Sequence, residues 1–392
     1  MKGGLKLWST IVDYFLILGA IIGVGFASGK EICVFFFDFG GASLIGLVAF
    51  GLLYIYLFFV IQYISHKLKV NSYDSFNAAI FGKMCKFTKI IMLINFTITS
   101  AGMLAGADYL FETFFGIGYK IPSIVLSVLT FILLIGGINK IKLMANIIIP
   151  VMLAVIVINS LHNITPQNVH MEITVQNGVM AVYYGLLFGV NNFVAAMPML
   201  FETKLKTKGK LAVILSICLV ILLNILVFAS NNFSTAMPMF ELSSNVSPCF
   251  YYIYFTTLVM ALFSTLVICS YNANNIVSHG KKSLFTIGLV VLTNLIISNL
   301  GYDFIVQYLY VVSGIISGIY VISLVVMIIV KLIKLNSEKK NNCHNIGKNS
   351  EIKSCYHFEC SKKIYIKKFK KIKFLNKNSL KNQYFSTKSN KK

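Results

Sequence analysis

The feature that most constrains this chain is a succession of apolar runs, each long enough to cross a bilayer and each separated from the next by lysines or turn-forming residues. A hydrocarbon core of roughly 30 Å takes about 20 residues of helix. Runs of that order fall at residues 10–38, 42–65, 87–115, 121–138, 141–161, 176–200, 211–230, 247–278, 283–300 and 303–333. They are too long and too continuous for the alternating strands of a membrane barrel. A backbone in lipid must satisfy its own hydrogen bonds, which helices do internally. The expected fold is therefore an all-α polytopic membrane protein of about ten transmembrane helices. Composition excludes a water-soluble core: 57% of residues are hydrophobic, 12% are charged and the mean hydropathy is +0.78.

The formal charge of +22 has to be read by position. Every basic residue is Lys, so the bidentate Arg clamps that favour nucleic acid are missing. The expected partners are the lipid bilayer and a small-molecule solute, with no nucleic acid; oligomeric state leaves no mark on the sequence. With a cytoplasmic N-terminus, the inner segments carry Lys2, Lys6, Lys67, Lys69, Lys83, Lys86, Lys89, Lys140, Lys142, Lys204, Lys206, Lys208, Lys210, Lys281 and Lys282, and the outer loops only Lys120. This asymmetry predicts a multi-pass plasma-membrane protein with both termini cytoplasmic. The expected organisation is a short cytoplasmic segment 1–9, a membrane domain 10–333 in two halves (10–161 and 176–333), and a tail 334–392. Residues 335–392 hold sixteen Lys against Glu338, Glu351 and Glu359 and too few apolar residues for a core, so disorder is expected there.

Within the first run lies Gly23-Val24-Gly25-Phe26-Ala27-Ser28-Gly29, followed by Lys30 and Glu31. Each Gly in a helix interior costs roughly 1 kcal/mol relative to Ala, which weakens the helix at mid-membrane depth. Backbone freed there is tolerated only against protein or a water-filled cavity, so a break marks a polar site. The competing reading is that small residues let helices approach closely. The sixth run carries a similar interruption, Phe188-Gly189-Val190-Asn191-Asn192, whose paired amides need partners. The two segments are five spans apart. An odd offset implies halves of opposite topology, a five-plus-five inverted repeat with helices one and six broken.

The segment from Gly19 to Glu31 resembles the GxGFASGxE signature of the YkvI family of bacterial membrane proteins, and the resemblance covers residues 8–333. That family is similar to LeuT-type transporters of the amino acid, polyamine and organocation (APC) superfamily. The resemblance implies a secondary transporter working by alternating access, coupled to sodium or protons, for an amino acid or related zwitterion or anion. It places the solute at Gly23, Val24, Gly25, Phe26, Ala27, Ser28 and Gly29 and at Tyr184, Phe188, Gly189, Asn191 and Asn192. For a sodium ion it implies carbonyls of Gly19 and Ile22 with hydroxyls of Ser264 and Thr265. Ser and Thr in helices also bond back to the preceding turn, which is the competing reading. For protons, Glu31 and Asp108 are the membrane-embedded carboxylates. Asp13 reads as an interfacial residue or a gate partner for a cytoplasmic Lys. The alternative function is a non-transporting receptor or sensor subunit of the same fold. No catalytic constellation or phosphate-binding loop appears, so neither an enzyme nor an ATP-driven pump is expected, and no cofactor beyond a coupling ion.

Overall fold

The computed structural model describes residues 2–116, 120–164, 174–231, 237–278 and 283–348, and every regular element within them is helical. Residues 349–392, most of the expected tail, lie outside the described residues, as do Lys281 and Lys282. The chain divides into two compact units, Met1–Ile328 and Ile329–Lys392.

Helix α1 (Lys2–Ile21) ends just before Gly23, which is extended at φ −112° and ψ −156°. A five-residue α2 (Val24–Ser28) follows, then Gly29 at φ +79°, then α3 (Lys30–Phe35). The left-handed conformation of Gly29 is one that L side chains resist, and a Cβ there would also strike Phe228 and Met239. The first apolar run is thus three helical pieces hinged at two glycines. Helix α4 (Ser43–Leu68) comes next, then α5 (Tyr73–Phe81), which the apolar pattern does not predict. Nine residues cannot span a bilayer. Ser72 and Ser75 form a capping box at its start, and Asp74 in its first turn pairs with Lys89 at 2.7 Å.

The remaining helices are α6 (Cys85–Phe115), α7 (Ile121–Gly136), α8 (Ile138–Asn163), α9 (Val175–Phe201), α10 (Thr207–Ser230), the short α11 (Pro238–Leu242), α12 (Pro248–Val277) and α13 (Leu284–Ser298). A three-residue α14 (Tyr302–Phe304) passes through one π-helical turn into α15 (Tyr310–Lys348). Among the described residues, seven helices are long and apolar enough to cross a membrane. Three shorter apolar helices, Trp8–Ile21, Ile121–Gly136 and Leu284–Ser298, occupy the other expected runs. Helix α15 continues past residue 334, where the tail is expected to begin, as far as Lys348, and no Pro or Gly falls between Gly318 and Gly347.

The second expected break is not there. Helix α9 is continuous from Val175 to Phe201, through Gly189, Asn191 and Asn192. Its glycines serve packing instead. A Cβ on Gly185 would strike the Gly46 carbonyl, and one on Gly46 the Ala181 carbonyl, so α4 and α9 cross backbone to backbone. Gly189 lies against Phe50 and Leu53 of α4. The two asparagines find hydrogen-bond partners without unwinding the helix.

Contacts gather one set of helix ends. Lys142 pairs with Asp13 at 3.0 Å, Lys210 donates to Gln62 at 3.0 Å, and Tyr320 donates to Asn77 at 3.0 Å. This is the lysine-rich end. Helices α6 and α12 run antiparallel between the two ends: Ser100 meets Ser270, Phe111 meets Phe255, and Phe114 stacks on Tyr251.

Candidate functional site

The break in the first span opens onto a central cavity. Ile22 N–H still donates to Leu18 O at 2.7 Å, and Ala27 N–H to Gly23 O at 3.3 Å, with extended Gly23 between. Around this hinge lie Ala20, Ile21, Gly23, Val24, Gly25 and Glu31 from the first span, Thr99 and Met103 from α6, and Asn191, Asn192 and Ala195 from α9. Thr265 and Cys269 of α12 and Tyr310 of α15 complete the wall. With both sides closed the enclosed space is about 30 Å³, room for about one water, so an organic solute needs the walls to part.

Glu31 dominates this space. Its side chain folds back over the hinge so that its carboxyl group lies where a Cβ on Gly25 would be. Only glycine leaves room for it. Asn192 and Tyr310 share the cavity wall with the Glu31 side chain. No Lys or His is among the described lining residues, so Glu31 is the one carboxyl there and has no cation beside it. Thr265 brings the other unusual feature. Its Oγ1 is buried without a hydrogen-bond partner and presses against Gly23, again where a Cβ would sit. A buried hydroxyl left unpaired costs roughly 1–3 kcal/mol, and such groups call for an explanation.

The residues singled out in the sequence divide. Gly23, Val24, Gly25, Asn191 and Asn192 line the cavity. Phe26, Ala27, Ser28, Gly29, Tyr184, Phe188 and Gly189 do not. Phe188 is fully buried among Phe26, Phe35, Phe36 and Phe50, with ring centroids 5.4–5.7 Å apart, and is the hub of a packed plug. Tyr184 stacks on Phe39 at 5.2 Å in the same plug. Ala27 O accepts from Tyr254 at 2.6 Å, and Ser28 Oγ accepts from Lys30 N–H at 3.3 Å. These contacts cover the hinge on the side away from the lysines.

The four residues implied for sodium are placed differently with respect to the cavity. Thr265 reaches the cavity, whereas Ser264 donates to Ala261 O at 3.0 Å within its own helix, and neither Gly19 nor Ile22 lines the space. Asp108, the other proton-coupling candidate, is not among the residues lining the cavity. It accepts from Ser123 N–H at 2.9 Å in the first turn of α7 and pairs with Lys120 at 3.2 Å, so its charge is spent on a helix start. Asp13 does join a gate-like contact. Lys142 donates to Asp13 at 3.0 Å and to Glu202 O at 2.6 Å, while Lys204 N–H donates to Asp13 at 2.9 Å. Helices α1, α8 and the end of α9 are latched together beneath the cavity. Sequence reasoning missed Thr99, Met103, Cys269 and Tyr310, which are ordinary residues of apolar runs and carry no local signal.

No family profile matches the chain. Over 140 residues, 36% of this chain, it is 28% identical to YkvI, an uncharacterized membrane protein of Bacillus subtilis. A second Bacillus subtilis protein, YyaD, also uncharacterized, is 27% identical over 154 residues, 38% of this chain. The matches span 40% and 43% of the relatives' own lengths. Among solved structures, the chain is similar to a Na+-coupled sialic acid symporter in its substrate-bound outward-open state, with a TM-score of 0.55 over 81% of this chain and 79% of the symporter. Identity there is 14%, so the likeness is one of fold.

Proposed function

We propose that this chain is a secondary transporter of about ten spans that carries a small solute with a cationic group, an amino acid or related zwitterion, by alternating access. The observation that carries this reading is Glu31, a carboxylate folded onto Gly25 at the break of the first span and facing a cavity with no compensating cation. Charged groups inside membranes are costly and mark solute or ion pathways. When ionised, Glu31 attracts an ammonium group and disfavours a simple anion, which narrows the solute classes implied by the sequence. Closure on both sides supports alternating access. The Asp13–Lys142 latch shuts the lysine-rich side, and the Phe188 plug with the Tyr254–Ala27 bond shuts the other. Fold likeness to a symporter adds weight without naming a solute.

Glu31 is also the group we assign to coupling, as a carboxyl that exchanges a proton or an ammonium with the cavity. The lysine-rich side is read as cytoplasmic and the membrane as the plasma membrane. Uptake of labelled amino acids into proteoliposomes under an imposed pH gradient tests the proposal, with a sodium gradient run in parallel. Glu31→Gln keeps the side-chain shape and removes the charge. It is expected to abolish proton-driven accumulation while the protein inserts normally. Wild-type-like, gradient-driven accumulation by Glu31→Gln would overturn the role given to Glu31. Saturable binding of an amino acid with no uptake in the wild type would favour the receptor reading instead.

A further inference from the structure

We propose that Asn95, Ser313 and Ser317 are positioning residues that hold Asn191 with its amide protons toward the cavity, so that the site selects zwitterions over simple amines. This rests on the reading that the cavity is the solute site. Asn191 is on the cavity wall, but its Oδ1 is occupied from behind. It accepts from Ser313 Oγ at 3.3 Å and from Ser317 Oγ at 3.2 Å, and Asn95 Nδ2 lies 3.3 Å from it. Both serine hydroxyls in turn accept from Asn95 Nδ2, at 2.7 and 2.8 Å. Each hydroxyl therefore gives one proton and receives one, and both Asn95 amide protons are used.

The set joins three helices, α6, α9 and α15, and its members Asn95, Ser313 and Ser317 are at most 1% exposed. Turning the Asn191 carboxamide alone would set its NH2 group against that of Asn95. With the oxygen engaged, Nδ2 is the end left for the cavity, where the Glu31 carboxylate favours a donor over a carbonyl oxygen. The arrangement has a cost. Asn95 Oδ1 is buried with no partner, and breaches of hydrogen-bond satisfaction of this kind concentrate at functional sites.

Two complementary points then face one small space: the Glu31 carboxylate for an ammonium group, and the Asn191 amide for a hydrogen-bond acceptor such as a carboxylate. An amino acid satisfies both. A simple amine satisfies Glu31 and leaves the Asn191 donor unanswered, the kind of mismatch that discriminates strongly because a desolvated polar group stays unpaired.

Competition against labelled alanine uptake in proteoliposomes tests this, with unlabelled alanine and ethylamine as the two inhibitors. In the wild type, alanine is expected to inhibit at a concentration about tenfold or more below that of ethylamine. The triple variant Asn95→Leu, Ser313→Ala, Ser317→Ala replaces the positioning set by apolar groups and frees Asn191 to turn. The ratio of the two inhibition constants is expected to fall about tenfold. An unchanged ratio, or loss of both inhibitions in equal measure, overturns the proposal. A second measurement does not depend on transport. The Asn191 side-chain amide resonance, identified by its loss in Asn191→Asp, is expected to show contacts between its NH2 protons and cavity water in the wild type. Protection of those protons from water overturns the assigned orientation. Absence of alanine uptake by the wild type counts against the site reading, and the resonance then decides the orientation by itself.

Discussion

Two side chains in the cavity are held in ways that packing alone does not favour. Glu31 needs the missing Cβ of Gly25, and the Thr265 hydroxyl is pressed on Gly23 without a hydrogen-bond partner. For Thr265 the physical expectation separates stability from function. Replacing an unpaired buried hydroxyl by a methyl of the same shape removes a desolvation cost, so Thr265→Val is expected to stabilise the protein by roughly 1 kcal/mol. The readout is a raised thermal midpoint in detergent, together with weakened uptake. A lowered midpoint would mean that the hydroxyl has a partner and that its place in the site has been misread. Ser264, one residue earlier, already bonds to Ala261 O, and it illustrates why a hydroxyl in a helix is weak evidence for an ion.

At the scale of elements, the three-piece first span is both the hinge of the site and a part of each closure. Helix α1 is tied to α8 and to the end of α9 through Asp13, Lys142 and Glu202, and α2 is tied to α12 through Ala27 and Tyr254. Exposed ion pairs contribute little, but this one is largely shielded: the side chains of Lys142 and Asp13 are 22% and 11% exposed. Asp13→Asn is expected to loosen the lysine-rich side. Cys269, buried on the cavity wall, is a native reporter of that opening. Its alkylation, followed by peptide mass spectrometry, should become several-fold faster in Asp13→Asn, and an unaltered rate would remove the latch from the mechanism. The continuous α9 is informative in the opposite direction. Gly185 and Gly189 let α4 approach, so the same residue type that opens the first span closes the contact of the sixth.

For the molecule as a whole, antiparallel packing of α6 on α12 puts Cys85 and Cys249 at opposite ends. Cys249 is exposed and Cys85 half-buried. In intact cells, a membrane-impermeant maleimide is expected to label Cys249 and to leave Cys85 unlabelled until the membrane is opened. The reverse pattern would invert the orientation drawn from the lysines.

The apolar runs and their lysine-marked gaps were sufficient for the helical membrane fold, because the length of an apolar stretch and the need to satisfy backbone hydrogen bonds in lipid are local properties. The first break was legible for the same reason: three glycines in seven residues weaken a helix wherever it sits. Whether Gly189, Asn191 and Asn192 mark a second break was decided only in three dimensions. Asn95, Ser313 and Ser317, distant in sequence, supply the partners that keep α9 whole. The same holds for the two carboxylates. Glu31 and Asp108 look alike in an apolar run, yet one faces a cavity and the other a Lys and a helix start, and that difference lies in their neighbours.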